Sequence, residues 1–256
     1  MDVDAATLSV RLAPELWLFV GPRRRREQFE MTHDGTATLA HVVPALGVPL
    51  TEVGALLADG ASVPPAHRPQ PGSTITVRAV QRPQRVPGWD GRFVLDVHLG
   101  ALARRLRILG LDTAYRNDAD DDALVHQSTA EHRLLLTQDR GLLKRRALWA
   151  GAYVRGAHPG DQLTDVLGRF APPLAPWTRC AGCNGELDAV DKREIADRLP
   201  PGTRRRYDRF TRCRECGRVY WRGAHSRRLD AIVAAARTAA GSSGRPGPAA
   251  VRSAPH

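Results

Sequence analysis

Apolar and polar positions change their period several times along the chain, and each change marks a segment. Leu8–Ala13 alternates as a half-buried strand does, and Arg26–Met31 is a second strand candidate leading into the turn signal His33-Asp34-Gly35. From Thr36 to Leu46 the period lengthens. Leu39, Val42, Val43 and Leu46 recur at spacings of three and four, which predicts a helix that stops at Gly47. Val53–Leu57 and Ser73–Val80 return to strand patterning, with Asp59-Gly60 and Pro71-Gly72 as turns. Two strands, a helix and further short strands predict a β-grasp domain with a mixed sheet over residues 1–82.

Pro83–Gly91 reads as a linker, and beyond it strands and helices alternate. Phe93–Val97 is an apolar strand interrupted by Asp96. Leu99–Leu109 is helical, with Leu99, Leu102, Leu106 and Leu109 inward and Arg104, Arg105 and Arg107 mostly outward. Asp112–Tyr115 is a second strand, and a helix follows the acidic run Asp118–Asp122. Arg133–Thr137 and Ala152–Arg155 are further strands, with helices near Leu142–Leu148 and over Gln162–Phe170. Strands separated by helices imply a parallel sheet with right-handed crossovers, so residues 91–171 are expected to form an α/β domain. Pro172–Pro176 links it to a module at 176–228. Residues 229–256 are expected to be a short helix, about Leu229–Ala240, and a disordered tail rich in Gly, Ser, Pro and Ala.

Four cysteines, and no others, stand as two CxxC knuckles, Cys180-Ala-Gly-Cys183 and Cys213-Arg-Glu-Cys216. Each knuckle turns two thiolates toward one point, and two knuckles complete a tetrahedral all-sulfur Zn²⁺ site. Gly182 and Gly217 supply the permissive backbone such turns need. Four thiolates leave no open coordination position, so the zinc is expected to be structural. Disulfide pairing or thiol redox chemistry is the competing reading of the same residues.

The 256-residue chain carries a net charge of +11, which points to a polyanionic partner. Lys144 and Lys192 are its only lysines, so its basicity is arginine, and the clustering says more than the total. Between Thr203 and Arg228 lie Arg204, Arg205, Arg206, Arg209, Arg212, Arg214, Arg218, Arg222, Arg227 and Arg228, against only Asp208 and Glu215. Tyr207, Phe210, Tyr220 and Trp221 interleave with them, a mixture suited to phosphate contact and base stacking. A solvated ribbon surface around a small aromatic core would use the same residues. The acidic start Met1-Asp-Val-Asp is unlike a secretory signal, no stretch reaches membrane-span length, and thiolates in knuckles suit a reducing compartment. A cytoplasmic protein with no membrane partner is expected.

Ligands in open parallel sheets collect beyond the carboxyl ends of the strands. Asp96 falls at one such end and Asp139 follows another, while Asp121 and Asp122 open the helix between them. A carboxylate at the end of a buried strand costs several kcal/mol unless it meets a cation or donors. Convergence of these residues would make an oxygen cluster suited to Mg²⁺ or Mn²⁺. Simpler roles exist for most of them: Asp139 can cap the helix after it, and Asp120–Asp122 can complement a helix dipole. Asp112 resembles an ordinary turn residue.

The string Phe93-Val-Leu-Asp-Val-His-Leu-Gly-Ala-Leu-Ala-Arg-Arg-Leu-Arg-Ile-Leu-Gly-Leu-Asp112, then Asp121-Asp-Ala-Leu-Val125 and Arg133-Leu-Leu-Leu-Thr-Gln-Asp-Arg-Gly-Leu-Leu143, resembles the Mut-seven C-terminal RNase-like family, a branch of the PIN-like nucleases. Its zinc ribbon is matched by Cys180–Gly185, Tyr207-Asp-Arg-Phe210, Cys213–Trp221 and Gly223-Ala-His225. Thr38–Val53 with Asp59-Gly60 resembles the ubiquitin-like, sulfur-carrier-like domains that precede this family. The β-grasp lacks a free Gly-Gly tail and runs into the next domain, so a docking role toward a protein partner is expected rather than a carrier role. The resemblance implies metal-binding carboxylates at Asp96, Asp139 and one or both of Asp121 and Asp122. It departs from the family at Ala101, where Lys is usual, and at Gln138, where Arg is usual. Arg104, Arg105 and Arg140 remain close in sequence.

Together these readings imply a metal-dependent ribonuclease: a PIN-like core cuts, zinc shapes the ribbon, and Arg104, Arg105, Arg140, Arg204, Arg205, Arg206, Tyr220 and Trp221 contact RNA. The alternative is a non-catalytic RNA-binding adaptor in RNA processing or translation.

Overall fold

The computed structural model describes residues 6–33 and 35–221, together with Asp230, Ala231, Val233 and Ala234, which are helical. The remainder of the expected Leu229–Ala240 helix, the tail, His225, Arg222, Arg227, Arg228, the acidic start and Asp34 lie outside the described residues.

The first sheet comprises β1 (Ala6–Leu12), β2 (Gln28–His33), β3 (Val53–Ala58), β4 (Ala61–Val63) and β5 (Thr74–Ala79), with α1 (Leu39–Ala45) between β2 and β3. Its order is β2-β1-β5-β3-β4, and only the β1–β5 pair is parallel. That is the mixed β-grasp arrangement. Alternation places Leu8, Val10 and Leu12 on one face, where they meet Phe29, Ile75 and Val77 and the α1 residues Leu39, Val42 and Val43. Each such fully buried side chain stabilises the domain by about 1.5–3 kcal/mol. α1 begins three residues later than the period suggested, because Thr38 is extended at ψ 162°. Gly47 has φ +110°, and a Cβ there would strike the Phe19 carbonyl. Asp59 and Gly60 both have positive φ, as a two-residue hairpin turn between β3 and β4 requires.

The second sheet is parallel throughout, in the order β7-β6-β8-β9: β6 (Phe93–Leu95), β7 (Thr113–Tyr115), β8 (Leu134–Thr137) and β9 (Gly151–Tyr153). In chain order α2 (Gly100–Ile108) follows β6, α3 (Asp121–Glu131) follows β7 and α4 (Pro159–Phe170) follows β9. β6 and β8 are buried along their whole length, as the near-continuous apolar runs of a covered parallel sheet demand. Leu124 and Val125 of α3 pack on Val94, Leu135 and Leu142. The helix expected over Leu142–Leu148 is absent. Only a 3₁₀ turn, Leu142–Lys144, forms: Leu142 and Leu143 are buried and Leu148 is partly buried against the core, but the four residues between them, 144–147, are exposed and give a continuing helix no apolar face.

The C-terminal module is an antiparallel ribbon, β10 (Leu187–Val190), β11 (Phe210–Cys213) and β12 (Val219–Trp221), with the short α5 (Pro201–Arg206) between β10 and β11. Its core is small: Ile195, Leu199 and Phe210, with Val190, Tyr207, Val219 and Trp221 partly buried around them. Among the described residues the chain divides into two compact units. One holds the residues up to Gly100 together with Thr113–Arg155, and the other Ala101–Asp112 and the chain from Gly156 onward. The β-grasp and the parallel sheet therefore share one unit, while most of α2, α4 and the ribbon belong to the other.

Candidate active site and metal centre

All four strands of the parallel sheet end at one edge, and the sheet's acidic residues follow those ends. The Asp96 amide still pairs with Leu136 O at 3.0 Å, so the residue sits at the last rung between β6 and β8. Its side chain is buried at 6% exposure. Thr137, the last residue of β8, is fully buried and donates its hydroxyl to Asp96 Oδ2 at 2.6 Å. The same hydroxyl oxygen accepts the Asp139 amide at 2.8 Å. One threonine thus ties the carboxylate after β6 to the backbone of the acid after β8. Asp139 is exposed, and its Oδ1 accepts the amides of Gly141 at 2.6 Å and Leu142 at 3.4 Å, closing a tight turn. The helix it was expected to cap does not form, and the short 3₁₀ turn after it has Gly141 as its N-cap. Among the described residues Asp96 Oδ1 and Asp139 Oδ2 carry no hydrogen bond. Tyr115, ending β7, donates to Val97 O at 2.9 Å and braces the turn after Asp96, and a Cβ on Gly100 would lie 2.5 Å from its hydroxyl.

The other expected site residues have individual surroundings. Asp120 is the N-cap of α3, accepting the Ala123 amide at 2.7 Å. Asp122 is exposed and pairs with Arg145, while Asp121 is exposed and has no ion-pair partner among the described residues. Neither joins Asp96 and Asp139 in a set whose oxygens all lie within 4.8 Å of one another. Arg140 has a structural engagement: its guanidinium donates to Leu18 O at 2.6 Å and Phe19 O at 3.3 Å and lies 5.5 Å over the Phe19 ring. Gln138 donates to Val154 O at 3.0 Å, and Ala101 is exposed. Thr137, Tyr115 and Arg145 carried no functional signal in the sequence. A hydroxyl at a strand end and a tyrosine at another are common, and their contacts span 41, 18 and 23 residues of chain.

The four cysteine sulfurs all lie within 4.8 Å of one another, with Cys180 and Cys213 buried and Cys183 and Cys216 exposed. They can hold a metal ion such as zinc, and among the described residues they are the one group of three or more His, Cys, Asp or Glu side chains so placed. The donor set fits a dication on electrostatic grounds. Burial raises the Cys180 thiol, but hydrogen bonds from the Tyr220 hydroxyl and the amides of Cys183 and Gly182 outweigh it and bring it down to about 6. Burial and the neighbouring thiols push Cys183 up to about 12. The Cys180 thiolate forms readily, and a thiolate at Cys183 beside it calls for a cation. Gly217 has φ +67°, as its knuckle turn was expected to need, whereas in the first knuckle the left-handed residue is Asn184, at φ +75°, and not Gly182.

Two residues read differently from sequence support the first knuckle. Arg107, expected to point outward, is buried at 3% exposure and donates to Gly182 O at 2.7 Å and Ala181 O at 3.4 Å. It leaves the exposed face of α2 because the knuckle's carbonyls need a donor; burial lowers its pKa, and the adjacent thiols offset part of that loss. Asp112, read as a turn residue, accepts from Asn184 Nδ2 at 2.8 Å and pairs with Arg179 at 3.1 Å. Arg104, Arg204, Arg205 and Arg206 are exposed and Arg105 is half-buried; none of the five has an acidic partner among the described residues. Tyr220 bonds Cys180 Sγ at 2.9 Å, and with Trp221, Trp177, Phe210 and Arg209 it lines a cleft of ≈ 490 Å³ on the ribbon.

Fold and clusters define a multidomain α/β protein that joins a β-grasp domain to a parallel-sheet core and a four-cysteine module. The Mut7-C RNAse domain model matches residues 91–233, and the Mut7-C ubiquitin model matches residues 5–85. The first match covers more than half of the chain, which therefore belongs to the Mut7-C RNAse domain family. Its core is ribonuclease-like and its N-terminal domain ubiquitin-like. No curated protein and no solved structure matches the chain. Among the described residues no helix is long and apolar enough to cross a membrane.

Proposed function

We propose that the protein is a metal-dependent ribonuclease of PIN-like type, hydrolysing RNA phosphodiesters at the carboxyl edge of the parallel sheet. The observation that carries this reading is the buried Asp96 carboxylate, joined through the Thr137 hydroxyl to the Asp139 amide. A buried carboxylate with a single neutral donor is poorly compensated, and a divalent cation would supply what is missing. Asp96 Oδ1 and Asp139 Oδ2 are the oxygens that would hold Mg²⁺ or Mn²⁺, with Asp121 or Asp122 as a further ligand; Asp122 would first have to leave Arg145. Such an ion supplies Lewis acidity and lowers the pKa of water. Thr137 fixes the Asp96 carboxylate by donating to Oδ2, and the bonds from the Gly141 and Leu142 amides to Asp139 Oδ1 hold the 139–142 turn and leave its second oxygen available. Zinc is structural in the ribbon. Arg104, Arg105 and Arg204–Arg206 would steady RNA phosphates, and Tyr220 and Trp221 would stack on bases.

The test is Asp96→Asn. Cleavage of RNA in Mn²⁺ should drop by more than roughly 100-fold while zinc content, circular dichroism and RNA affinity persist. Wild-type turnover by the variant sinks the assignment. The engagement of Asp122 by Arg145 favours a second reading, an RNA-binding adaptor without turnover; it prevails if RNA binds but Mn²⁺ neither binds nor supports cleavage in the wild-type chain.

A further inference from the structure

The β-grasp domain carries, between β1 and β2, four consecutive arginines that the metal and ribbon readings leave unused: Arg23, Arg24, Arg25 and Arg26, all exposed. A 3₁₀ turn over Pro22–Arg24 shapes the run, Arg25 Nε donates to Val20 O at 3.2 Å, and the Arg24 guanidinium lies 5.9 Å over the Phe29 ring. Among the described residues none of the four pairs with a carboxylate. Glu27 follows the run directly, so four positive charges stand beside one negative charge. The excess like charge repels itself, and a bound polyanion would relieve that repulsion.

The position of the run is the second observation. The segment just before it is fastened to the turn that carries Asp139. Arg140 donates to Leu18 O and Phe19 O, the Phe19 ring meets Tyr153 edge-on at 5.1 Å, and Lys144 Nζ donates to Pro44 O at 3.0 Å. Buried Glu52 accepts the Tyr153 amide at 2.8 Å. Four residues of chain lead from Phe19 to Arg23, which keeps the two within roughly 14 Å.

We propose that Arg23–Arg26 is a phosphate-binding site that grips the RNA strand beside the Asp96–Asp139 edge, making the β-grasp a substrate arm. The proposal deepens the ribonuclease reading and rests on it for the choice of RNA as the polyanion. Guanidinium forks take phosphate oxygens in bidentate fashion without reading bases, so the contact is salt-sensitive and indifferent to sequence.

The experiment compares full-length Asp96→Asn protein with the same chain also carrying Arg23→Gln, Arg24→Gln and Arg26→Gln. Fluorescence anisotropy of a labelled single-stranded RNA is followed over a salt series without added divalent metal. The proposal expects the slope of log K against log salt to shrink by about 2, since each lost phosphate contact on a single strand removes about 0.7. Affinity should fall at least tenfold at moderate salt, and the matching Arg→Lys triple should retain the slope. An unchanged slope in the Gln triple overturns the proposal, as does an equal loss in the Lys triple or no RNA binding by the parent. Unchanged RNA binding with loss of binding to a polyglutamate peptide would give the run to an acidic protein and also overturns it. Failure of the two readings is separable. Loss of binding in the Gln triple, with no cleavage by the wild-type chain in Mn²⁺, leaves the arm standing without the nuclease. Wild-type cleavage that the Gln substitutions leave untouched leaves the nuclease without the arm.

Discussion

Thr137 has one hydroxyl and two obligations: it donates to Asp96 Oδ2 and accepts the Asp139 amide. Thr137→Val keeps the shape and removes both bonds, so a buried carboxylate oxygen and a backbone N–H lose their partner together. The expected loss is about 1–3 kcal/mol in urea unfolding, with Thr137→Ser retaining most of it. Mn²⁺ affinity, read by isothermal titration, should weaken in the Val variant and recover in the Ser variant; equal affinity in both would deny the threonine a positioning role. The acids themselves were legible in the sequence, because an aspartate ending an apolar run is conspicuous and strand ends are where parallel sheets collect ligands. Their partners were not. Arg145 reaches Asp122 across 23 residues, and Thr137 reaches Asp96 across 41, distances over which local pattern says nothing.

At the level of elements the ribbon is the clearest case of sequence dictating structure, since two CxxC knuckles leave few alternatives. Its apolar core rests on three buried side chains, Ile195, Leu199 and Phe210, too few to hold β10–β12 without another staple. Removal of the metal by a strong chelator is therefore expected to abolish amide-exchange protection across residues 180–221 while β1, β5 and β8 keep theirs. Retained protection in the ribbon would show that a metal is dispensable for its folding. Arg107 belongs to the same argument. Arg107→Met preserves the apolar packing of α2 but strips the Ala181 and Gly182 carbonyls of their donor, and zinc affinity is expected to fall about 10–100-fold by competition with a chromogenic chelator. The sequence misplaced Arg107 because a helical period assigns charge outward by default, and only tertiary structure reveals a carbonyl cluster wanting a cation. The helix expected after Asp139 failed for a related reason. Leu142 and Leu143 carry the apolar signal of a helix start, yet the exposed Lys144-Arg145-Arg146 sequence gives a second turn nothing to bury.

At the scale of the whole molecule, the β-grasp and the parallel sheet belong to one compact unit although the chain reads as separate domains joined by a linker. The sequence shows the linker's Pro and Gly but not the fasteners, which are Arg140 on the Leu18 and Phe19 carbonyls and Glu52 on the Tyr153 amide. Glu52 is 1% exposed, so its acceptor role is bought at a desolvation cost that only a well-placed donor offsets. Hydrogen bonds to charged groups contribute about 1.5–3 kcal/mol each, enough in combination to make the two sheets melt together. Replacing both residues, as Arg140→Ala with Glu52→Ala, is expected to split that cooperative unit. Scanning calorimetry should resolve an earlier β-grasp transition from a later parallel-sheet transition, and exchange protection in β1 and β5 should fall below that in β8. A double variant that still melts in one step, merely at lower temperature, would show that the Phe19–Tyr153 contact and its apolar surroundings hold the unit together without the charged fasteners.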